Sequence, residues 1–220
     1  MSVSTLIIID WDDTIWTTSN HTTSSNRAIS RYTRVLETFL SVCRSLGHVC
    51  IVTAGTSDWI RACMTCCPVI RPLLQDTNIY TFDQQHSTPI EYKSTMFKLL
   101  YSHFEPRQLI SVGDSLCERA ALASLRTTRF FYRKNIKTVP SPTTRILTNQ
   151  LRALVSVMPQ IVAIPKNLDL MVSYARPVSD MSESSTESEE SVELAVEPGK
   201  TRDFEESFIQ SVSLVDPISS

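Results

Sequence analysis

Short aliphatic runs alternate with longer stretches in which apolar residues recur every three or four positions. Residues 5–9 (TLIII), 48–52 (HVCIV), 78–82, 108–112 (QLISV) and 128–132 read as strands. Between them, residues 26–46 place Ile29, Tyr32, Leu36, Phe39, Leu40 and Cys43 on one helical face, with Ser25 or Asn26 as N-cap and Gly47 as the stop. Residues 58–74, 90–103 and 118–125 carry helical patterns as well, and a helix over 143–158 followed by a strand over 168–174 completes the series. Strand and helix in strict alternation predict a parallel sheet with helices on both faces. Unbroken runs such as LIII and LISV suit strands buried on both sides better than a two-faced alternation would. The predicted fold is therefore α/β, a Rossmann-like doubly wound parallel sheet.

Composition alters this picture at one place. From about residue 176 the chain becomes acidic and Ser-rich (SDMSESSTESEESVELAVEPGK) with few large apolar residues, which predicts a disordered tail. Residues 1–175 carry a net +6 and residues 176–220 a net −8, together giving the chain its −2. The expected organisation is thus a folded core over 1–175 and a tail over 176–220. Phe204, Phe208, Ile209, Val212 and Leu214 give the tail a segment able to fold on a partner.

Several classes are excluded or disfavoured. Four glycines leave no glycine-rich phosphate loop of the P-loop or dinucleotide type. The six cysteines show no disulfide framework, and no apolar stretch reaches membrane-span length. A cytoplasmic or nuclear setting, without a membrane partner, is the expectation. Cys63, Cys66 and Cys67 read as helical thiols rather than a metal site, because a CxxC without a second pair is half a site. The basic run 129–137 (RFFYRKNIK) reads as an edge strand with solvated charges rather than a nucleic-acid contact.

The candidate chemistry sits where strands end. Asp10, Asp12 and Asp13 follow the first strand, Thr53-Ala54-Gly55 ends the second, and Gly113-Asp114-Ser115-Leu116-Cys117-Glu118 follows the fourth, with Lys93 near the start of the helix between. In a doubly wound sheet these C-terminal strand ends converge. Carboxylates suited to a hard cation, a hydroxyl with nearby backbone amides, and an ammonium form the inventory for Mg²⁺-assisted phosphoryl transfer.

In this order the residues resemble the haloacid dehalogenase (HAD) superfamily: DWDDT its DxDxT signature, IVTAG its second motif, Lys93 its third and GDSLCE its fourth, usually written GDxxxD. The motifs cover about residues 5–135. The resemblance implies a phosphatase in which Asp10 is the nucleophile and forms an aspartyl-phosphate, while Asp12 protonates the leaving group and then activates water. It implies that Thr53, Ala54 and Lys93 bind the phosphoryl group. Mg²⁺ would be held by Asp10, Asp114, Asp12 through its carbonyl, and Glu118. Glu118 departs from the family's Asp, and Lys98 is the second candidate for the lysine. The gaps between motifs hold no cap domain, which points to a phosphorylated macromolecule such as a phosphoprotein as substrate. Asp13 is expected to shape the turn. The alternative is a catalytically idle fold that recruits a partner through its acidic tail.

Overall fold

The computed structural model describes residues 4–18, 26–82, 87–125, 131–175 and 191–196. Its centre is a seven-stranded sheet of order β3-β2-β1-β4-β5-β6-β7. The strands are β1 (Thr5–Ile9), β2 (His48–Thr53), β3 (Asn78–Thr81), β4 (Gln108–Gly113), β5 (Tyr132–Lys137), β6 (Leu168–Ala175) and β7 (Ser191–Val196). The first six are mutually parallel, and β7 runs antiparallel against β6. The helices are α1 (Asn26–Leu46), α2 (Ser57–Cys66), α3 (Pro89–Phe104), α4 (Leu116–Ala123) and α5 (Thr144–Ala163). The architecture is the expected α/β, Rossmann-like one. In the described residues, β1 and β2 are joined through α1 alone, and β2 and β3 through α2 and a 3-10 segment, Pro68–Leu74.

β1 lies at the middle of the sheet and every one of its residues is buried. Its side chains alternate between the two faces, as strand geometry requires. Ile7 and Ile9 join α1, α2 and α5 in one apolar cluster, while Leu6 and Ile8 join α3 and α4 in the other. Helix α1 turns Tyr32, Leu36, Phe39, Leu40 and Cys43 inward, the face that its periodicity predicts. Burying Leu36 and Leu40 contributes about 1.5–3 kcal/mol each. Gly47 follows α1 directly because a Cβ there would stand 2.5 Å from the Thr5 carbonyl oxygen of β1.

Three elements differ from the sequence expectation. The helix expected over 58–74 divides at Cys67, which has φ −133 and ψ 78, because Pro68 disfavours helical backbone in the residue before it. Helix α5 runs past Pro159 to Ala163, beyond the expected end at residue 158. A proline in a helix interior leaves one carbonyl without its amide donor, but the chain can continue. The last turn of α5 receives other donors, from Lys134.

β5 is the largest correction. It spans Tyr132–Lys137 rather than 128–132, and it is interior, paired with β4 on one side and β6 on the other. Residues 126–130 lie outside the described ones. The expected solvated edge is replaced by a buried polar strand. Lys134 is fully buried, its Nζ donating to Gln108 Oε1 (2.5 Å) and to the carbonyls of Ile161 (2.6 Å) and Val162 (3.1 Å). Those carbonyls close the C-terminal end of α5, where a cation is favoured and unpaired acceptors need donors. Burial lowers the Lys134 pKa from 10.5 to about 8. Between those values the unfolded chain binds more protons than the folded one, so this lysine makes stability rise with pH in that window. The stability difference between wild type and Lys134→Met should move toward wild type by on the order of 1 kcal/mol from pH 7 to 9.5. Urea titrations of both proteins at the two pH values measure it; parallel pH curves would count against a buried, titrating Lys134.

The expected tail also reaches the sheet. Ser191–Val196 (SVELAV) pairs with β6 from Leu170↔Val196 to Ala175↔Ser191. Its alternation of aliphatic with small or acidic residues is a strand pattern, outweighed in the sequence by the acidic Ser-rich surroundings. The remainder of 176–220 lies outside the described residues.

Candidate active site

The order 3-2-1-4-5-6 reverses between β1 and β4, so a crevice opens beyond the carboxyl ends of those two strands. Parallel pairing carries Ile9 beside Val112, and the Asp10 amide donates to the Val112 carbonyl at 2.9 Å. Asp10 and Asp114 therefore stand at the ends of adjacent strands. β2, on the other side of β1, ends in Thr53.

The loop after β1 is a compact turn. Trp11 O accepts from the amides of Ile15 (3.0 Å) and Trp16 (2.9 Å), and the rings of Trp11 and Trp16 stack at 6.2 Å. Asp13 takes a left-handed conformation (φ 51), which Asp tolerates better than most residues. Its Oδ1 accepts from Thr18 N (2.9 Å) and Thr18 Oγ1 (2.8 Å). The Tyr32 hydroxyl of α1 donates to the Ile15 carbonyl and ties the loop down. Asp13 thus holds the turn, and Asp10 and Asp12 are the two acids it presents.

Asp10 is 4% exposed and Lys93, reaching it from α3, is 2% exposed. Lys93 Nζ lies 2.9 Å from Asp10 Oδ1 and also contacts Glu118 Oε1. Between the two lysine candidates the geometry is decisive: Lys98 is exposed on α3.

Glu118 has a different place from the one expected. Its Oε2 accepts from Ser115 Oγ (2.6 Å) and Ser115 N (3.2 Å), closing a capping box at the start of α4, while its Oε1 takes Lys93. Both oxygens are engaged by protein donors, so here Glu118 positions Lys93 and caps α4. It fits under β4 only because residue 113 is glycine: a Cβ there would stand 2.5 Å from Glu118 Cγ. The spacing Ser115-x-x-Glu118 is the sequence signal for this role.

One ammonium serves two buried carboxylates, and the charges do not balance. Burial alone would lower the Lys93 pKa, but Asp10 and Glu118 more than offset it, and the net shift is upward. Asp10 is pushed up to about 7 by desolvation; Lys93 opposes this, and Glu118 adds to it. Asp114 rises to about 6, through burial first and then the carboxylates of Glu118 and Asp13. Among the described residues, the crevice is short of positive charge.

On the β2 side, Asp12 is half-buried with both oxygens engaged. Thr53 Oγ1 donates to Oδ2 at 3.2 Å, and Trp59 Nε1 of α2 donates to Oδ1 at 2.8 Å. Thr53, fully buried, also accepts from Gly55 N at 2.9 Å. Its hydroxyl faces Asp12 and the loop, and Ala54 beside it is half-buried. Trp59 had no part in the sequence reading; nothing in its local pattern marks it apart from its place in the first turn of the helix after β2.

Of the helical thiols, Cys63 is buried on α2, where desolvation raises its pKa and Asp12 adds to the rise, and Cys66 is exposed. Among the described residues no group of three or more His, Cys, Asp or Glu side chains is gathered closely enough to hold a metal ion, and no helix is long and apolar enough to cross a membrane. Comparisons with protein-family models, curated proteins and solved structures find nothing that matches this chain.

Proposed function

We propose that the protein is a HAD-type, Mg²⁺-dependent phosphatase that hydrolyses phosphomonoesters through Asp10. The observation that carries this reading is the charge deficit at the switch point. Asp10 is buried, shares Lys93 with Glu118, and stands at the strand end next to Asp114. A hard divalent cation would relieve both raised carboxyls, and this donor chemistry fits Mg²⁺. Asp10, Asp114 and the Asp12 backbone carbonyl would hold it, with water completing its shell. Glu118, saturated by Lys93 and Ser115, is left out of that set. When bound, Mg²⁺ would supply charge neutralisation for the incoming phosphate.

The steps follow from the side chains. An Asp10 oxygen attacks phosphorus, forming the aspartyl-phosphate as the bond to the leaving oxygen breaks, and Asp12 gives that oxygen its proton. Water then attacks phosphorus, Asp12 takes a proton from it, and the bond to Asp10 breaks to release phosphate and restore the carboxylate. Lys93 holds Asp10 in place and offsets charge on the phosphoryl oxygens. Thr53, a hydroxyl that can donate or accept, can exchange Asp12 for a phosphoryl oxygen. With only α1 between β1 and β2 among the described residues, access by a phosphorylated macromolecule such as a phosphoprotein fits this reading.

Hydrolysis of an aryl phosphate with Mg²⁺ and with EDTA, beside Asp10→Asn, tests the proposal. Turnover is expected only in wild type with Mg²⁺. Hydrolysis that survives in Asp10→Asn refutes the mechanism.

A further inference from the structure

We infer that Trp59 is the positioning residue of the Asp12 carboxylate, fixing its Oδ1 from α2. The inference rests on the reading of Asp12 as the group that gives and takes protons.

Asp12 sits on a loop, and a short carboxylate side chain there has two free torsions. Two donors from different elements remove that freedom: the Trp59 indole from α2 at 2.8 Å and the Thr53 hydroxyl from the end of β2 at 3.2 Å. The donors are not alike. An indole N–H can only donate, whereas a hydroxyl donates or accepts. Oδ1, facing the indole, must therefore stay an acceptor. Oδ2 faces a hydroxyl that can turn to another partner, so the indole is the fixed point of the pair.

The surroundings are built to deliver the indole. Thr56 caps α2 by accepting from Trp59 N at 3.2 Å, which places residue 59 in the first turn, beside the β2 end. Gly55 keeps the approach clear: a Cβ there would stand 2.7 Å from Trp59 Cδ1 and 3.2 Å from Asp12 Oδ2. Gly55 N in turn orients the Thr53 hydroxyl at 2.9 Å. Thr53, Gly55, Thr56 and Trp59 thus form one short segment whose hydrogen bonds meet at Asp12.

Two substitutions isolate the N–H. Trp59→Phe removes it and shortens the ring, and replacement of Trp59 by β-(3-benzothienyl)alanine removes it while keeping ring size. Steady-state hydrolysis of an aryl phosphate should show kcat lowered about 10- to 100-fold in both, with KM changed by less than about 3-fold, because proton transfer and not phosphate binding is disturbed. A benzothienyl protein that melts with wild type while showing this loss separates positioning from packing. Independently of turnover, the Trp59 indole ¹⁵N–¹H resonance should move in Asp12→Asn, where the acceptor loses its charge. An unmoved resonance, or a benzothienyl protein with wild-type kcat, overturns the inference while leaving the phosphatase reading intact. Absence of any phosphate-ester hydrolysis in wild type would instead overturn that reading, and the catalytic part of the inference with it.

Discussion

Lys93→Met should cost the fold about 3–5 kcal/mol, the largest stability loss expected for any single change at the site. The methionine fills the same space, so packing is not the cause. Lys93 is 2% exposed and is an ion partner of both Asp10 and Glu118, themselves 4% and 2% exposed. Removing it leaves two buried carboxylates facing each other without a cation. Glu118→Gln makes the contrast. It leaves Lys93 and Asp10 as a neutral pair and keeps an amide able to serve the capping box, so its cost should be about 1 kcal/mol. Urea denaturation of the two variants at pH 7.5 compares them. Equal losses would mean that the pair is held by packing rather than charge.

The difference between those variants marks how far the site could be read from sequence. Asp10, Asp12 and Lys93 were legible because each follows or precedes a strand in a fixed order, and strand order decides which ends meet. The partner of Lys93 was harder. The resemblance to GDxxxD implies a cation-ligand role for Glu118, yet Ser115-x-x-Glu118 also spells a capping box, and that local bond fixes where its carboxylate points. Trp59 could not be foreseen, since its partner Asp12 is 47 residues away and only the β1–β2 pairing brings them together. The fold follows the same rule. Strands β1, β2 and β4 are largely apolar, and with β3 they were found within a residue of their observed ends. β5 was displaced toward the aromatic FFY because the strand itself contains Arg133, Lys134 and Asn135. Their acceptability inside a sheet depends on Gln108, the end of α5 and Asp169, 26 to 34 residues away. Local pattern could not show that those partners exist.

Asp10→Asn should lower phosphate-ester turnover by on the order of 10³-fold or more, and at the same time make the protein more stable. The two effects share one cause. In the proposed mechanism an amide lacks the nucleophilic oxygen anion, so no aspartyl-phosphate would form. It also removes a charge that the fold holds at a cost. With Asp10 ionised, the buried triad of Asp10, Lys93 and Glu118 carries one net negative charge; with Asn it carries none. The sign follows from the Asp10 pKa, raised by burial from 3.8 to about 7. A carboxyl whose folded pKa lies above its unfolded value gives stability that is complete below the unfolded pKa and is lost as pH rises through the folded one. Wild type should therefore fall behind Asp10→Asn from about pH 4 to 7, reaching a deficit of a few kcal/mol above that range. Mg²⁺ should raise the melting temperature of wild type and scarcely alter that of Asp10→Asn, because a ligand stabilises only the form that binds it. Thermal melts of both proteins at pH 4.5 and 8, with and without Mg²⁺, measure all of this without any substrate. If the stability difference is the same at both pH values, Asp10 does not titrate in the buried site as its surroundings require. If Mg²⁺ shifts both proteins alike, the cation binds somewhere other than Asp10. On the proposed reading, the stability that Asp10 costs is the counterpart of its chemistry.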